Sequence, residues 1–278
     1  MKKKNPFKIF SINFFFIIAC FLALVPILYA FSLSLNANSS ILSSDFSFIP
    51  KVFSLKNYKA VFVEKPVIIW FLNTFCLAFF TVVLALSVSI PAAYMFSEFS
   101  FKGRKSIIRI LILLYSFPSI LSMLAIYKLL SNFNLINTRI GLIIVYTGTM
   151  SIFGLINMKG YFDTIPNEIE EAARLDGASD FMVVRKIIIP LARPSIIVTA
   201  IQVLIYVWNE YIFAVNFMTG ADKFTLASGL YTMQATEKSG SWAVFSAASI
   251  VISIPILTIF FLTQKYMVSG LTSGGVKG

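Results

Sequence analysis

Residues 68–95, IIWFLNTFCLAFFTVVLALSVSIPAAYM, form an apolar stretch in which no side chain is charged. About 20 such residues cross the hydrocarbon core of a bilayer as a helix, and lipid offers no partner to unpaired backbone groups. The stretch therefore predicts a membrane-spanning α-helix. Comparable apolar runs occur elsewhere in the chain, at 12–32, 107–130, 140–158, 195–217 and 244–267. We predict an all-α polytopic membrane protein with six transmembrane helices in a single domain over residues 1–278.

The composition agrees with this prediction. The chain is 58% hydrophobic and only 13% charged, whereas soluble domains carry about 25% charged residues. The N-terminal apolar run also continues past Cys20 through FLALVPILYAF, which is longer than the core of a cleaved signal peptide. We therefore expect the first span to be retained.

The net charge of +11 follows a topological pattern. With six spans and an inner N-terminus, fifteen of the 23 Lys and Arg residues fall in segments on the inner side. This excess is the positive-inside pattern of membrane proteins, and it predicts that both termini are cytoplasmic. Because the charge is divided among the inner segments, we do not expect a nucleic-acid partner.

Several kinds of chemistry are missing from the sequence. The chain has no His and only two cysteines, which excludes His-based acid–base catalysis and the usual zinc sites. Its Gly-rich C-terminus, GLTSGGVKG, does not have the spacing of a phosphate-binding loop. We predict no catalytic residue, no metal site and no bound cofactor, so active transport would need an ion gradient or an energy-supplying partner.

Few polar residues lie inside the predicted spans. The clearest is Glu210, in YVWNEYIF beside Asn209, and Asn73 is a weaker second case. Trp and Tyr favour the membrane interface, so Glu210 could be an interfacial anchor that reaches water. Ionisable residues within membranes also mark solute pathways, so the three residues could line a translocation path. The sequence leaves both interpretations open.

A polar insert separates the fourth and fifth runs. In NEIEEAARLDGASD, Asn167 is predicted to cap a helix with Glu170 at its third position, and Glu170 and Arg174 form an i, i+4 pair. Gly177 is expected to stop this helix. Ser179 is expected to cap a second helix that Pro190 ends, and Pro194 suits the first turn of the fifth span. The two short helices would lie on the cytoplasmic face.

The spacing EAARLDGASDFMVVRKIIIP resembles the EAA motif of ABC-importer permeases, E-A-A-x3-G-x9-I-x-L-P, with Ile189 in place of Leu. KGYFDTIPNEIEEA, WNEY and QKYMVSGLTSGGVKG are further similar to carbohydrate-importer permeases of the maltose-transporter type. The resemblance implies that residues 167–190, here named the coupling segment, dock onto an ATPase. The coupling residues that it implies are Glu171, Ala172, Ala173, Asp176, Gly177, Ile187 and Pro190.

The resemblance also implies an assembly in the bacterial plasma (inner) membrane. Its members would be a second homologous permease, two ATPase subunits that use ATP and Mg, and an extracytoplasmic solute-binding protein facing loops 33–66 and 218–243. The tail would reach the ATPases through Gly275 and Lys277. The implied solute is a sugar, an oligosaccharide or a polyol. A permease for another solute class and an ion-coupled carrier are the alternatives.

Overall fold

The computed structural model describes residues 6–37, 48–50, 52–236 and 242–273. These residues are mostly helical. The α-helices in chain order are α1 Pro6–Ser34, α2 Lys56–Val63, α3 Val67–Glu98, α4 Arg104–Ser116, α5 Ser119–Asn132, α6 Arg139–Phe162, α7 Asn167–Leu175, α8 Asp180–Val183, α9 Ile189–Leu191, α10 Arg193–Asn209, α11 Ile212–Phe217, α12 Leu226–Thr236 and α13 Trp242–Ser273, with a π-helical turn at Val184–Ile188 between α8 and α9.

Four of the six predicted spans are single helices. α1, α3, α6 and α13 contain the apolar runs at 12–32, 68–95, 140–158 and 244–267, and each is long and apolar enough to cross a membrane. Two further helix pairs, α4 with α5 and α8–α9 with α10, raise the number to six if each pair counts as one span. The described residues therefore contain four to six candidate spans.

The prediction of one continuous helix over 107–130 is wrong. α4 and α5 meet at an angle of 95°, and Phe117 between them is extended, with φ −70° and ψ 130°. Pro118 follows, and a proline disfavours helical backbone at the residue before it. The run 195–217 is interrupted as well, because α10 ends at Asn209 and α11 begins only at Ile212.

The chain divides into two compact units. The first comprises Met1–Ile68 and Leu230–Ile254. In it, Asn57 on α2 donates hydrogen bonds to the carbonyl oxygens of Ser34, at 2.9 Å, and Asn36, at 3.0 Å. These bonds tie α2 to the end of α1.

The second unit comprises Ile69–Gly229 and Pro255–Gly278. Part of its core lies between α3, α6 and α10, where Ala85, Met150 and Val203 are buried together. Small residues let these helices approach closely, as is usual for helix packing in membranes. Gly154 on α6 is the tightest example between α3 and α6, since a Cβ atom there would lie 2.7 Å from Oγ of Ser89.

We expect Gly154→Ala to lower the free energy of unfolding by about 1–3 kcal/mol, the usual cost of overpacking. The added methyl group must displace the Ser89 side chain. Thermal unfolding of the detergent-solubilised protein measures this change.

Gly148 provides the matched control, because it lies on the same helix and a Cβ atom there meets nothing within 4 Å. Gly148→Ala should leave stability unchanged or raise it by up to about 1 kcal/mol through helix propensity. Equal melting temperatures for the two variants would contradict the close approach of α3 and α6.

Candidate functional site

The first helix of the coupling segment begins without a side-chain cap. Pro166 is its N-cap residue and Asn167 is its first helical residue, so the predicted Asn167 cap is wrong. The proline, with φ −63° and ψ 130°, starts the helix one residue earlier than a capping Asn would. Glu170 consequently does not complete a capping box, and its carboxylate points instead into the protein.

A glycine turn ends α7 as predicted. Gly177 has φ +86°, in the left-handed region that favours glycine. Its N–H donates to the carbonyl of Arg174, and the N–H of Ala178 donates to that of Ala173, both at 3.0 Å. This bonding is a Schellman motif, which satisfies carbonyls at the helix end.

The second helix begins as predicted but ends later. The Oγ of Ser179 accepts from the N–H of Met182, which confirms the predicted cap. Pro190 does not end the helix, which continues to Leu191 and turns by 73° into α10. The π-helical turn at Val184–Ile188 ends two residues before Pro190, and its wider winding suits a residue that lacks an N–H and crowds the preceding turn. Pro194 lies in the first turn of α10, as predicted.

The coupling segment rests on a small apolar core. Val183 and Ile188 are buried with Ala93 of α3 and Met158 of α6, and Ala173 packs against this cluster. The opposite side of the segment is exposed. Four predicted coupling residues lie on that side: Glu171, Ala172, Asp176 and Gly177.

The exposed side also carries large apolar groups. Leu175 is 89% exposed and Phe181 is 72% exposed. Of the remaining predicted coupling residues, Ile187 is half-buried and Pro190 is exposed. The segment thus presents acidic, small and apolar groups outward from a fixed base, which is a composition suited to contact with another protein.

Polar contacts reinforce that base. The hydroxyl of Tyr94, on α3, donates to Oε2 of Glu170 at 2.9 Å. Arg174 pairs with the same oxygen at 3.0 Å, which confirms the predicted i, i+4 pair. Arg174 also contacts Glu98, the last residue of α3, at 3.6 Å and Asp180 of α8 at 3.2 Å. Burial raises the pKa of the Glu170 carboxyl, and the hydrogen bond from Tyr94 opposes that rise.

Of this network, only the Glu170–Arg174 pair was predicted from the sequence. Tyr94 and Glu98 stand four residues apart at the end of an apolar run, so an i, i+4 polar pair was the available signal. Within the described residues, no group of three or more His, Cys, Asp or Glu side chains could hold a metal ion. The cation that the acids of this network share is the Arg174 guanidinium.

Glu210 occupies the break between α10 and α11. Its Oε1 accepts from the N–H of Phe213 at 2.8 Å, and its Oε2 accepts from the N–H of Ala214 at 3.3 Å. The hydroxyl of Tyr146 also donates to Oε2. The carboxylate thus caps the N-terminus of α11, where a negative charge is favourable. Glu210 is only 9% exposed, so its interpretation as an anchor that reaches water is wrong.

Asn73 fastens a loop to α3. Its Nδ2 donates to the carbonyl oxygens of Asp222, at 2.8 Å, and Phe224, at 2.9 Å. Its Oδ1 accepts from Arg139 at 2.7 Å. The amide is therefore occupied on both sides, and the residue is only 1% exposed.

The three path candidates therefore differ in exposure. Asn73 and Glu210 are buried and hydrogen-bond to other parts of the chain. Of the three residues, only Asn209 is exposed. Asn209 donates to the carbonyl of Ile205. The tail candidates Gly275 and Lys277 lie outside the described residues.

Comparison with known proteins identifies the family. Residues 85–273 match the profile of the binding-protein-dependent transport system inner membrane components. The chain belongs to this family. The matched region includes the coupling segment and the Glu210 break, whereas Asn73 lies before it.

Individual members of this family are similar over nearly the whole chain. The galactooligosaccharides transport system permease protein GanQ of Bacillus subtilis is 32% identical over 95% of each chain. The maltodextrin transport system permease protein MalD of Streptococcus pneumoniae is 35% identical over 80% of this chain and 79% of its own. Among solved structures, a chain of a bacterial ABC transporter involved in the import of the acidic polysaccharide alginate matches with a TM-score of 0.78 and 26% identity, over 96% of this chain and 99% of its own.

We expect Glu210→Gln to lower the free energy of unfolding by about 1–3 kcal/mol, the cost of leaving a buried polar group unpaired. A Gln side chain has nearly the same shape but only one acceptor oxygen, whereas the carboxylate uses both of its oxygens. Thermal unfolding in detergent measures the loss.

Asn209→Ala is the control, because that exposed side chain bonds only within its own helix. It should change stability by no more than about 0.5 kcal/mol, as is usual for surface substitutions. A Glu210→Gln protein as stable as the parent would contradict the capping role.

Proposed function

We propose that the chain is the membrane-spanning permease subunit of an ATP-driven ABC importer for a sugar or oligosaccharide, of the maltodextrin or polyol type. It forms half of the translocation pathway, with a second homologous permease forming the other half. Two cytoplasmic ATPase subunits use ATP and Mg, and an extracytoplasmic binding protein delivers the solute. Both termini of this chain face the cytoplasm.

The coupling segment carries the proposal. Its exposed residues follow the EAA spacing from Glu171 to Gly177, and they stand on a helix held to α3 and α6 by apolar and polar contacts. A surface that transmits force needs a base attached to the membrane-spanning helices, and contacts with α3 and α6 attach this one. ATP binding by the partners displaces the segment and switches the bundle between two states, a two-state element that a ligand biases.

The solute class is supported by the relatives. Two of the similar permeases are named after galactooligosaccharide and maltodextrin transport. A test reconstitutes the chain with its partner permease, ATPase and binding protein in vesicles and follows uptake of radiolabelled maltotriose, galactotriose, sorbitol and methionine. We expect ATP-dependent uptake of an oligosaccharide or polyol. Uptake of methionine alone would contradict the solute class, and uptake by the chain alone, driven by an ion gradient, would contradict the importer.

We expect Glu171→Lys and Gly177→Leu to leave membrane insertion intact while reducing ATP-dependent uptake by about tenfold, within the usual range of coupling energies. The lysine reverses a charge on the docking surface. The leucine cannot adopt the positive φ of Gly177 without strain. Uptake, ATP hydrolysis and co-purification of the ATPase are measured on the same preparations.

Glu168→Lys is the matched control, since Glu168 is exposed on the same helix but stands outside the EAA spacing. It should keep most of the uptake. Normal uptake in Glu171→Lys and Gly177→Leu would refute the docking role. An equal defect in Glu168→Lys and Glu171→Lys would show that the overall charge on α7 matters rather than the position of Glu171 in the motif.

A further inference from the structure

Arg174 occupies an unusual position in the coupling segment. It is the only basic residue of α7 and does not belong to the EAA spacing. Its guanidinium lies within 3.6 Å of carboxylates on three different helices: Glu98 at the end of α3, Glu170 on α7 and Asp180 on α8. A planar guanidinium has five donors in a fixed arrangement, so it can serve several acceptors at once.

The contacts to α3 form a second, independent link. The Tyr94 hydroxyl donates to Glu170 and also lies 3.4 Å from Nη2 of Arg174. Three side chains therefore close a ring across the α3–α7 contact. Glu170 is only 5% exposed and Tyr94 only 6%, so solvent screens the hydrogen bond between them less than it screens a surface ion pair.

Arg174 is also needed to keep three acids together. Without it, Glu98 and Glu170 would lose the cation that both contact, and neighbouring like charges repel. A helix held only by the apolar contacts of Ala173 and its neighbours could slide, because such contacts have no direction. Hydrogen bonds and ion pairs impose a fixed orientation.

We propose that Arg174, with Tyr94 and Glu98, is the positioning group that makes α7 and the end of α3 move as one body, so that displacement of the coupling segment reaches a membrane-spanning helix. This inference rests on the proposed function for the origin of the displacement. The rigid link itself is a property of the permease and can be tested without transport.

The test follows the α3–α7 distance in the assembled transporter. Nitroxide labels are attached to Met95→Cys on α3 and Glu168→Cys on α7, both exposed positions, after Cys20 and Cys76 are changed to Ser. Distances are measured without nucleotide and after trapping with ATP and vanadate. We expect one narrow distance, unchanged between the two states, when the link is intact.

Tyr94→Phe/Glu98→Gln removes the Tyr94 hydroxyl and the negative charge of Glu98, which weakens the α3 side of the link and leaves the docking surface untouched. We expect the distance in this variant to broaden and to shift on trapping. Arg174→Gln should behave in the same way. Arg174→Lys should fall between the parent and Arg174→Gln, since an ammonium keeps the charge but not the planar array of donors. Arg109→Gln, an exposed arginine of α4, should match the parent.

A narrow and unchanged distance in Tyr94→Phe/Glu98→Gln would overturn the proposal, because the apolar contacts alone would then fix α7. If the parent chain does not assemble with an ATPase, the proposed function fails. The same label pair in the solubilised permease then tests the link by itself. A narrow distance in the parent and a broad one in the double variant support the link, and equal widths overturn it.

Discussion

A backbone that crosses lipid can leave the helical conformation only where the protein itself pairs the groups that are set free, because lipid offers no hydrogen-bond partner. The break after α10 obeys this constraint. The N–H groups of Phe213 and Ala214 open a new helix and have no helical acceptor, and the Glu210 carboxylate accepts both. At the break before α5, Pro118 has no N–H to satisfy. These two breaks thus occur where a side chain supplies an acceptor or where a donor is missing.

The same requirement for pairing governs charge in the coupling segment. Glu170 lies on the buried side of α7, where a carboxylate without partners would cost free energy. Tyr94 and Arg174 supply its partners, and Arg174 extends the pairing to α3 and α8. Apolar contacts of Val183 and Ile188 lie beside this network. The surface helix is therefore an integral part of the bundle, which is a condition for transmitting force.

Features that depend on neighbouring residues, such as helices and their ends, could be predicted from the sequence. Apolar runs identified four continuous helices, and Gly177 and Ser179 correctly placed the end of one short helix and the start of the next. Proline was ambiguous, because Pro91 lies within a continuous helix whereas Pro118 accompanies a bend of 95°. Nothing in the immediate sequence separates the two cases, since the packing of neighbouring helices decides whether a proline is accommodated.

The polar side chains were the hardest to predict. Glu210 pairs with Tyr146, 64 positions away, and Asn73 pairs with Asp222, 149 positions away. From a single sequence we can infer that burying such residues in lipid costs free energy, and hence that they have a structural or functional role. The sequence does not show which distant group satisfies them. Glu210 was therefore predicted to face a path or the solvent and Asn73 to face a path, whereas in the structure both side chains bond to other parts of the protein.

α3 joins the two polar attachments of the second unit. Asn73 near its start holds residues 222–224, and Tyr94 near its end holds Glu170 of the coupling segment. At 1.5 Å per residue, these attachment points lie about 30 Å apart along the helix, close to the thickness of the hydrocarbon core. Between them α3 packs against its neighbours through side chains such as Leu77, Ala85 and Ser89, whose contacts have less direction than hydrogen bonds. A movement imposed at α7 would therefore travel along α3 to the loop at the opposite end.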